Sequence, residues 1–178
     1  MEKLVFSSEK IICHYEKYKR HDGLLSGVKE WNLVDWPENL RDGYDFDTNN
    51  DIGVHNVINA YYLGALKTMN ELYDILGSKK RYDYEKIVEA YFKAFFNEKA
   101  GLFADSEGGE HFALHSNVLP CFYGFTNKKQ SEKIIKLIME KGLACGVYFS
   151  YFVLKALALN GENEKAMELI LNKSEHSW

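Results

Sequence analysis

Proline, cysteine and unbalanced charge are all scarce in this chain. Two prolines among 178 residues and a net charge of −4 argue against a low-complexity or disordered polypeptide. The acidity is mild and spread out, so nothing suggests a nucleic acid or an anionic membrane surface as partner. No apolar run reaches the roughly 18 residues of a membrane span. Met1-Glu2-Lys3-Leu4-Val5-Phe6 passes at once into Ser and Glu, so no cleavable leader is expected. The three cysteines, Cys13, Cys121 and Cys145, are odd in number, lack paired spacing and sit in apolar or aromatic surroundings. They read as reduced, buried thiols of a cytoplasmic protein. A zinc site using Cys145 and a histidine has no C-x-x-C to support it, so no metal or cofactor is expected. Strand–helix alternation is also missing, which leaves an all-α chain.

What the chain does have is apolar material. Hydrophobic residues make up 46% and aromatics 15%, enough for a single domain over 1–178 with a sizeable core. The spacing predicts seven helices. The first covers 8–20, with Ile11, Ile12, Tyr15 and Tyr18 on one side and Ser7 or Ser8 as cap. The second, longest, spans 54–76, with Asn49-Asn50-Asp51 offering caps and Gly77 as its stop. The third, near 82–96, follows so short a link that the two form an antiparallel hairpin. Residues 97–113 break the pattern, and Ser106-Glu107-Gly108-Gly109 reads as the turn of a short β excursion. A fourth helix near 116–123 is very apolar, and Pro120 is tolerable there only if it falls early. The fifth, 129–141, is amphipathic, with Ile134, Ile135, Leu137 and Ile138 inward. The sixth begins at Val147 and is apolar nearly all round until Asn160-Gly161. The seventh, 163–172, turns Ala166, Leu169 and Ile170 inward.

A helix apolar on most sides must be covered on most sides. The simplest arrangement therefore has inner helices backed by an outer layer, as in an α-solenoid or a closed α/α toroid. The hairpins share no sequence motif, which weakens the solenoid. If the inner helices run parallel, their N-termini lie at one end, together with the segments leading into them. Those segments carry or precede Asp35, Trp36, Glu38, Arg41, Asp42, His111, His115 and Tyr148, while the opposite links hold mainly solvated lysines. The stretch 31–47 stands out, with two indoles, five carboxylates and an arginine but no helical or strand period. Indoles beside carboxylates suit a sugar, the flat ring covering its C–H face while the acids take its hydroxyls. An ordered loop whose aromatics merely cap the core fits the same residues. His55, Asn56, His111, His115, Tyr148 and Tyr151 each have a structural reading beside a functional one.

The ordered set Trp31-Asn32-Leu33-Val34-Asp35-Trp36-Pro37, Leu102-Phe103-Ala104-Asp105, His111-Phe112-Ala113-Leu114-His115-Ser116-Asn117, Gly146-Val147-Tyr148-Phe149-Ser150-Tyr151-Phe152 and Glu175-His176-Ser177-Trp178 resembles the catalytic domain of bacterial α-L-rhamnosidases. The resemblance runs from about residue 8 to the last residue and implies an α/α toroid of the six-hairpin glycosidase type. About three and a half of the hairpins are expected here, so a partial toroid. It also implies inverting hydrolysis of terminal α-L-rhamnosides by two carboxylates about 6.5–9.5 Å apart. The segments expected to carry that acid and base fall before residue 1 and after Trp178. No catalytic residue is therefore assigned, and the chain alone is expected to be inactive, with Glu38 and Asp42 only poor substitutes. The resemblance carries Asp35 and Trp36 over as substrate contacts, and His115 and Tyr148 join them as candidate substrate-binding residues. Two classes stay open: a carbohydrate-active fragment with a rhamnoside substrate, and a non-catalytic helical scaffold or carbohydrate-binding pseudo-enzyme. In either, open hairpin flanks suggest a homodimer.

Overall fold

Seven α-helices and one two-stranded hairpin make up the described part of the chain in a computed structural model, which describes residues 2–29, 34–44 and 53–173. In order these are α1 (Glu2–Glu16), α2 (Asn56–Ile75), α3 (Tyr84–Phe95), β1 (Phe96–Asn97), β2 (Leu102–Phe103), α4 (Leu114–Phe122), α5 (Lys128–Lys141), α6 (Val147–Leu159) and α7 (Asn163–Leu171). Helices pair as α2–α3, α4–α5 and α6–α7, while α4 also packs on both α2 and α6 and α1 lies against α2. That is the inner layer backed by an outer one. Among the described residues no helix is long and apolar enough to cross a membrane.

Local chemistry explains the stop of α2 and the start of α5. Gly77 adopts φ +64 and lets the amides of Gly77 and Ser78 fold back on Asp74 and Tyr73, which stops α2. Asn127 and Gln130 form a reciprocal capping box that starts α5. Two hydrophobic clusters result. The larger gathers the inner faces of α2, α4 and α6 with Tyr91, Phe95, Phe103, Ile134 and Ile138. The smaller ties α1 to α2 through Ile12, Leu25, Tyr62, Leu66, Met69 and Tyr73.

Several expectations need correction. α1 starts well before residue 8, so Ser7 and Ser8 lie inside it rather than at its start. Helix-compatible residues precede both serines, and nothing there breaks the helix. Cys13 is exposed rather than buried, because Ile12 is the residue facing α2. The β pairing joins Phe96 to Phe103 and Asn97 to Leu102, one turn earlier than expected, and 106–109 is a separate turn. α4 begins at Leu114, which puts Pro120 in its second half rather than near its start. α6 is buried along one side only, through Phe149, Ser150, Val153, Ala156 and Leu157. Val147, Tyr148, Tyr151 and Leu159 are exposed, as is Ile170 on α7. The most enclosed helix is instead α4, which has α2 on one side and α6 on the other. The Asn49-Asn50-Asp51 caps, Trp31 and the tail with His176 and Trp178 lie outside the described residues.

Candidate functional site

The inner helices share one deficiency. Their N-cap positions are His55, Ala113 and Gly146, and none supplies a side-chain hydrogen bond to its own first turn. The unpaired amides of a helix start must then be met from elsewhere. Three aspartates from other segments gather there and do so.

Asp105 receives the Asn56 amide at 2.8 Å on its backbone oxygen, which serves the start of α2. Its carboxylate Oδ1 accepts the Ala113 amide at 2.8 Å and the Ser116 hydroxyl at 2.6 Å, and Oδ2 meets His111 Nδ1 at 2.5 Å. Asp42 Oδ2 accepts the Leu114 amide at 2.6 Å and pairs with Lys141 Nζ at 2.6 Å. Asp42 itself sits at φ +52, a left-handed conformation aspartate tolerates better than most residues.

Asp35 serves α6. Its Oδ2 accepts the Gly146 amide at 2.7 Å and meets His115 Nε2 at 2.8 Å, while Oδ1 accepts the Trp36 amide at 2.8 Å. The side chains of Asp35 and His115 are 2% and 0% exposed. Burial alone would raise the Asp35 pKa, but the hydrogen bonds from His115, Gly146 and Trp36 outweigh it and hold the carboxyl below its ordinary range. Arg41 Nε donates to the Asp35 backbone oxygen at 3.1 Å, closing the loop on itself. Gly146 is obligatory in this arrangement, because a methyl group there would run into the Asp35 carboxylate and the Trp36 carbonyl oxygen.

Around this buried anchor stand exposed aromatics. Trp36 is 66% and Tyr148 65% exposed, one next to Asp35 in sequence and the other two residues after Gly146. Behind Tyr148 rings run in series: Phe152 contacts Tyr148, Tyr61 and Phe122, and Phe122 contacts Tyr123. Burial, followed by the nearby Tyr148 and Tyr123 phenols, raises the pKa of Tyr61. Cys145 lies close by. Burial first, then Asp35 and Asp42, push its thiol up to about 12, so it is no nucleophile at neutral pH.

The structure thus brings Asp35, His115 and the start of α6 into direct contact, with Trp36 and Tyr148 beside them. Glu38 is exposed and lies 3.7 Å from Arg41. His111 is partly exposed on Asp105, and His55 bridges to Ser106 through its backbone. Sequence reasoning missed Asp105 as the hub of two helix starts. The sign for it was the absence of any Ser, Thr, Asp or Asn directly before α4. Among the described residues no group of three His, Cys, Asp or Glu side chains is placed to hold a metal ion.

Comparison with known proteins follows the same lines. The family model of the bacterial alpha-L-rhamnosidase 6 hairpin glycosidase domain matches residues 6–178. No curated protein matches the chain. Among solved structures, a Streptomyces avermitilis alpha-L-rhamnosidase complexed with L-rhamnose is similar at a TM-score of 0.64 and 15% sequence identity. The likeness covers 98% of this chain and 16% of that one, and at such identity it speaks for the fold alone.

Proposed function

The chain belongs to the bacterial alpha-L-rhamnosidase six-hairpin glycosidase family, and from that premise we propose that it forms part of the sugar-binding wall of a glycoside hydrolase acting on terminal α-L-rhamnosides. One observation carries this reading: two exposed aromatics, Trp36 and Tyr148, are held at a single helix end by a buried carboxylate–imidazole pair. The indole offers a flat apolar face to the C–H side of a pyranose, and the Tyr148 phenol offers a hydrogen-bonding tip. Asp35 and His115 belong to the same site with a different task. Their polar atoms are buried and mostly committed to one another and to backbone amides, so they hold the walls that the sugar touches. The buried, free thiols of Cys121 and Cys145 fit a cytoplasmic setting.

Inverting hydrolysis needs one carboxylic acid at the leaving oxygen and one carboxylate to activate water. Asp35, Asp42 and Asp105 are each engaged at helix starts, and Glu38 stands in solvent beside Arg41. The catalytic pair is therefore assigned outside these four, and the chain by itself is expected not to hydrolyse an aryl α-L-rhamnoside. Those engaged acids also favour a second reading, a carbohydrate-binding scaffold without catalysis. Titration of the chain with L-rhamnose, alongside an aryl α-L-rhamnoside assay, tests both. Binding that falls about ten-fold in Trp36→Ala, equal to about 1.4 kcal/mol, with no hydrolysis, is the expected result. Hydrolysis lost on Glu38→Gln or Asp35→Asn overturns the assignment of the acids. Absence of any saccharide binding overturns the sugar wall.

A further inference from the structure

We propose that His115 is a positioning residue that sets Trp36 and Tyr148 at a fixed separation, acting on the first through Asp35 and on the second through Phe149. This rests on the reading of those two aromatics as sugar contacts.

His115 comes from the first turn of α4, 80 positions from Asp35 in sequence, and touches both halves of the wall. Its Nε2 lies 2.8 Å from Asp35 Oδ2, and Asp35 holds the Trp36 amide on its other oxygen. Its ring packs on Phe149, centroids 4.2 Å apart, and Phe149 is the residue after Tyr148. One side chain thereby meets the neighbour of each exposed aromatic.

Capping α6 does not require the imidazole. Asp35 already receives the Gly146 amide at 2.7 Å without it. Filling the space beside Phe149 does not require it either, since a phenyl ring occupies similar volume without polar atoms. The imidazole also carries a penalty: Nδ1 is buried and has no partner among the described residues. Whichever nitrogen holds the proton, one polar atom in the core stays unsatisfied. A buried polar group left in that state calls for a reason. The contact that the imidazole supplies, and a phenyl ring of similar volume lacks, is the donor to Asp35. With the Asp35 carboxyl ionised, Nε2 carries the hydrogen of that contact, and Nδ1 is the nitrogen without a partner among the described residues. The same donor restrains the carboxylate from rotating about its bond to Gly146, and with it the peptide that carries Trp36.

Two variants separate the donor from the ring. His115→Phe keeps the packing against Phe149 and removes the donor. His115→Gln keeps a donor at similar reach and removes the ring. Each is made in the full chain labelled with 5-fluorotryptophan, with the Trp36 resonance identified by Trp36→Phe, and each is titrated with L-rhamnose. His115→Phe is expected to fold, to shift the Trp36 fluorine resonance and to weaken L-rhamnose about ten-fold, near 1.4 kcal/mol. His115→Gln is expected to return the Trp36 resonance towards the wild-type position but to recover the affinity only in part, because the ring that packs on Phe149 is gone. A wild-type resonance and affinity in His115→Phe overturns the proposal. If His115→Phe does not fold, His115→Gln decides: a wild-type Trp36 resonance supports the donor role and a displaced one overturns it. If the wild-type chain does not bind L-rhamnose, the sugar reading fails, and the Trp36 resonance still decides whether His115 positions that residue.

Discussion

Asp35, Asp42 and Asp105 serve helix amides that no neighbour in sequence caps, and this ties site geometry to stability. The consequence is sharpest for Asp35. Its folded pKa lies below the unfolded value near 3.8, because the hydrogen bonds it accepts outweigh its burial. A depressed carboxylate contributes stability that is present above the unfolded pKa and lost as pH falls through the folded one. The urea midpoint is therefore expected to drop as pH is lowered from about 5 through 4 and below. Asp35→Asn should be less stable at pH 7 and show a shallower acid decline over that range, read from urea midpoints by circular dichroism. Parallel pH profiles for the two proteins would contradict the assignment. At this scale the sequence showed that Asp35, Trp36, His115 and Tyr148 precede or begin inner helices. It did not show that Asp35 and His115 face inward and bond each other, because a long-range cap has no spacing rule.

Mid-helix asparagines do comparable work at the scale of elements. Asn59 of α2 accepts the Leu25 amide at 2.7 Å and donates to the Leu25 oxygen at 3.0 Å. Asn70 treats Tyr82 the same way at 2.8 and 2.9 Å, and Asn117 of α4 treats Phe103 at 2.8 and 3.1 Å. Each amide reads one residue of a passing segment as a neighbouring strand would, and so pins connecting chain to the inner helices. Asparagine is a poor helix former, and its presence at core-facing positions was the available sign. Asn117→Leu keeps the branched shape and removes the partners of the Phe103 amide and carbonyl in the core. It should destabilise the chain by about 2–4 kcal/mol, since each unmade buried bond costs about 1–3 kcal/mol. Denaturant unfolding measures this, and a loss under about 0.5 kcal/mol would rule the clamp out. Helix number and pairing were legible because the apolar period of 3.6 reports them directly. The start of α1 was not, since Ser7 and Ser8 fit a cap and a helix interior equally well. The one-sidedness of α6 was hidden for a related reason: composition records how apolar a helix is, but not whether a neighbour covers each side.

That uncovered side decides the behaviour of the whole molecule. α4 has inner neighbours on both flanks and is buried from Leu114 to Cys121, whereas α6 packs on α4 and α7 and leaves Tyr151 and Leu159 in solvent. Met167, Ile170 and Leu171 of α7 are exposed as well. On the opposite flank Leu4, Phe6 and Ile11 of α1 are exposed, and a groove of about 370 Å³ lined by Ile11, Ile12, Ala65, Met69 and Leu72 separates α1 from α2. Burying side chains of this kind contributes about 1.5–3 kcal/mol each when complete. Even half-covered, several of them outweigh the lower estimates for the cost of bringing two chains together, about 4 kcal/mol. Several exposed apolar side chains gathered on one flank mark an interaction face. We therefore expect the isolated chain to self-associate, two copies meeting through these flanks as a symmetric dimer. Light scattering across a concentration series should show a mass rising towards twice 20.6 kDa. Leu159→Lys together with Leu171→Lys should return it to the monomer with unchanged helicity, because both residues already lie in solvent in the single chain. A monomer at the highest concentration reached would reject the interface, as would dimers indifferent to both lysines. The dimer should remain inactive on an aryl α-L-rhamnoside, because Asp35, Asp42 and Asp105 of the second copy are engaged at helix starts in the same way.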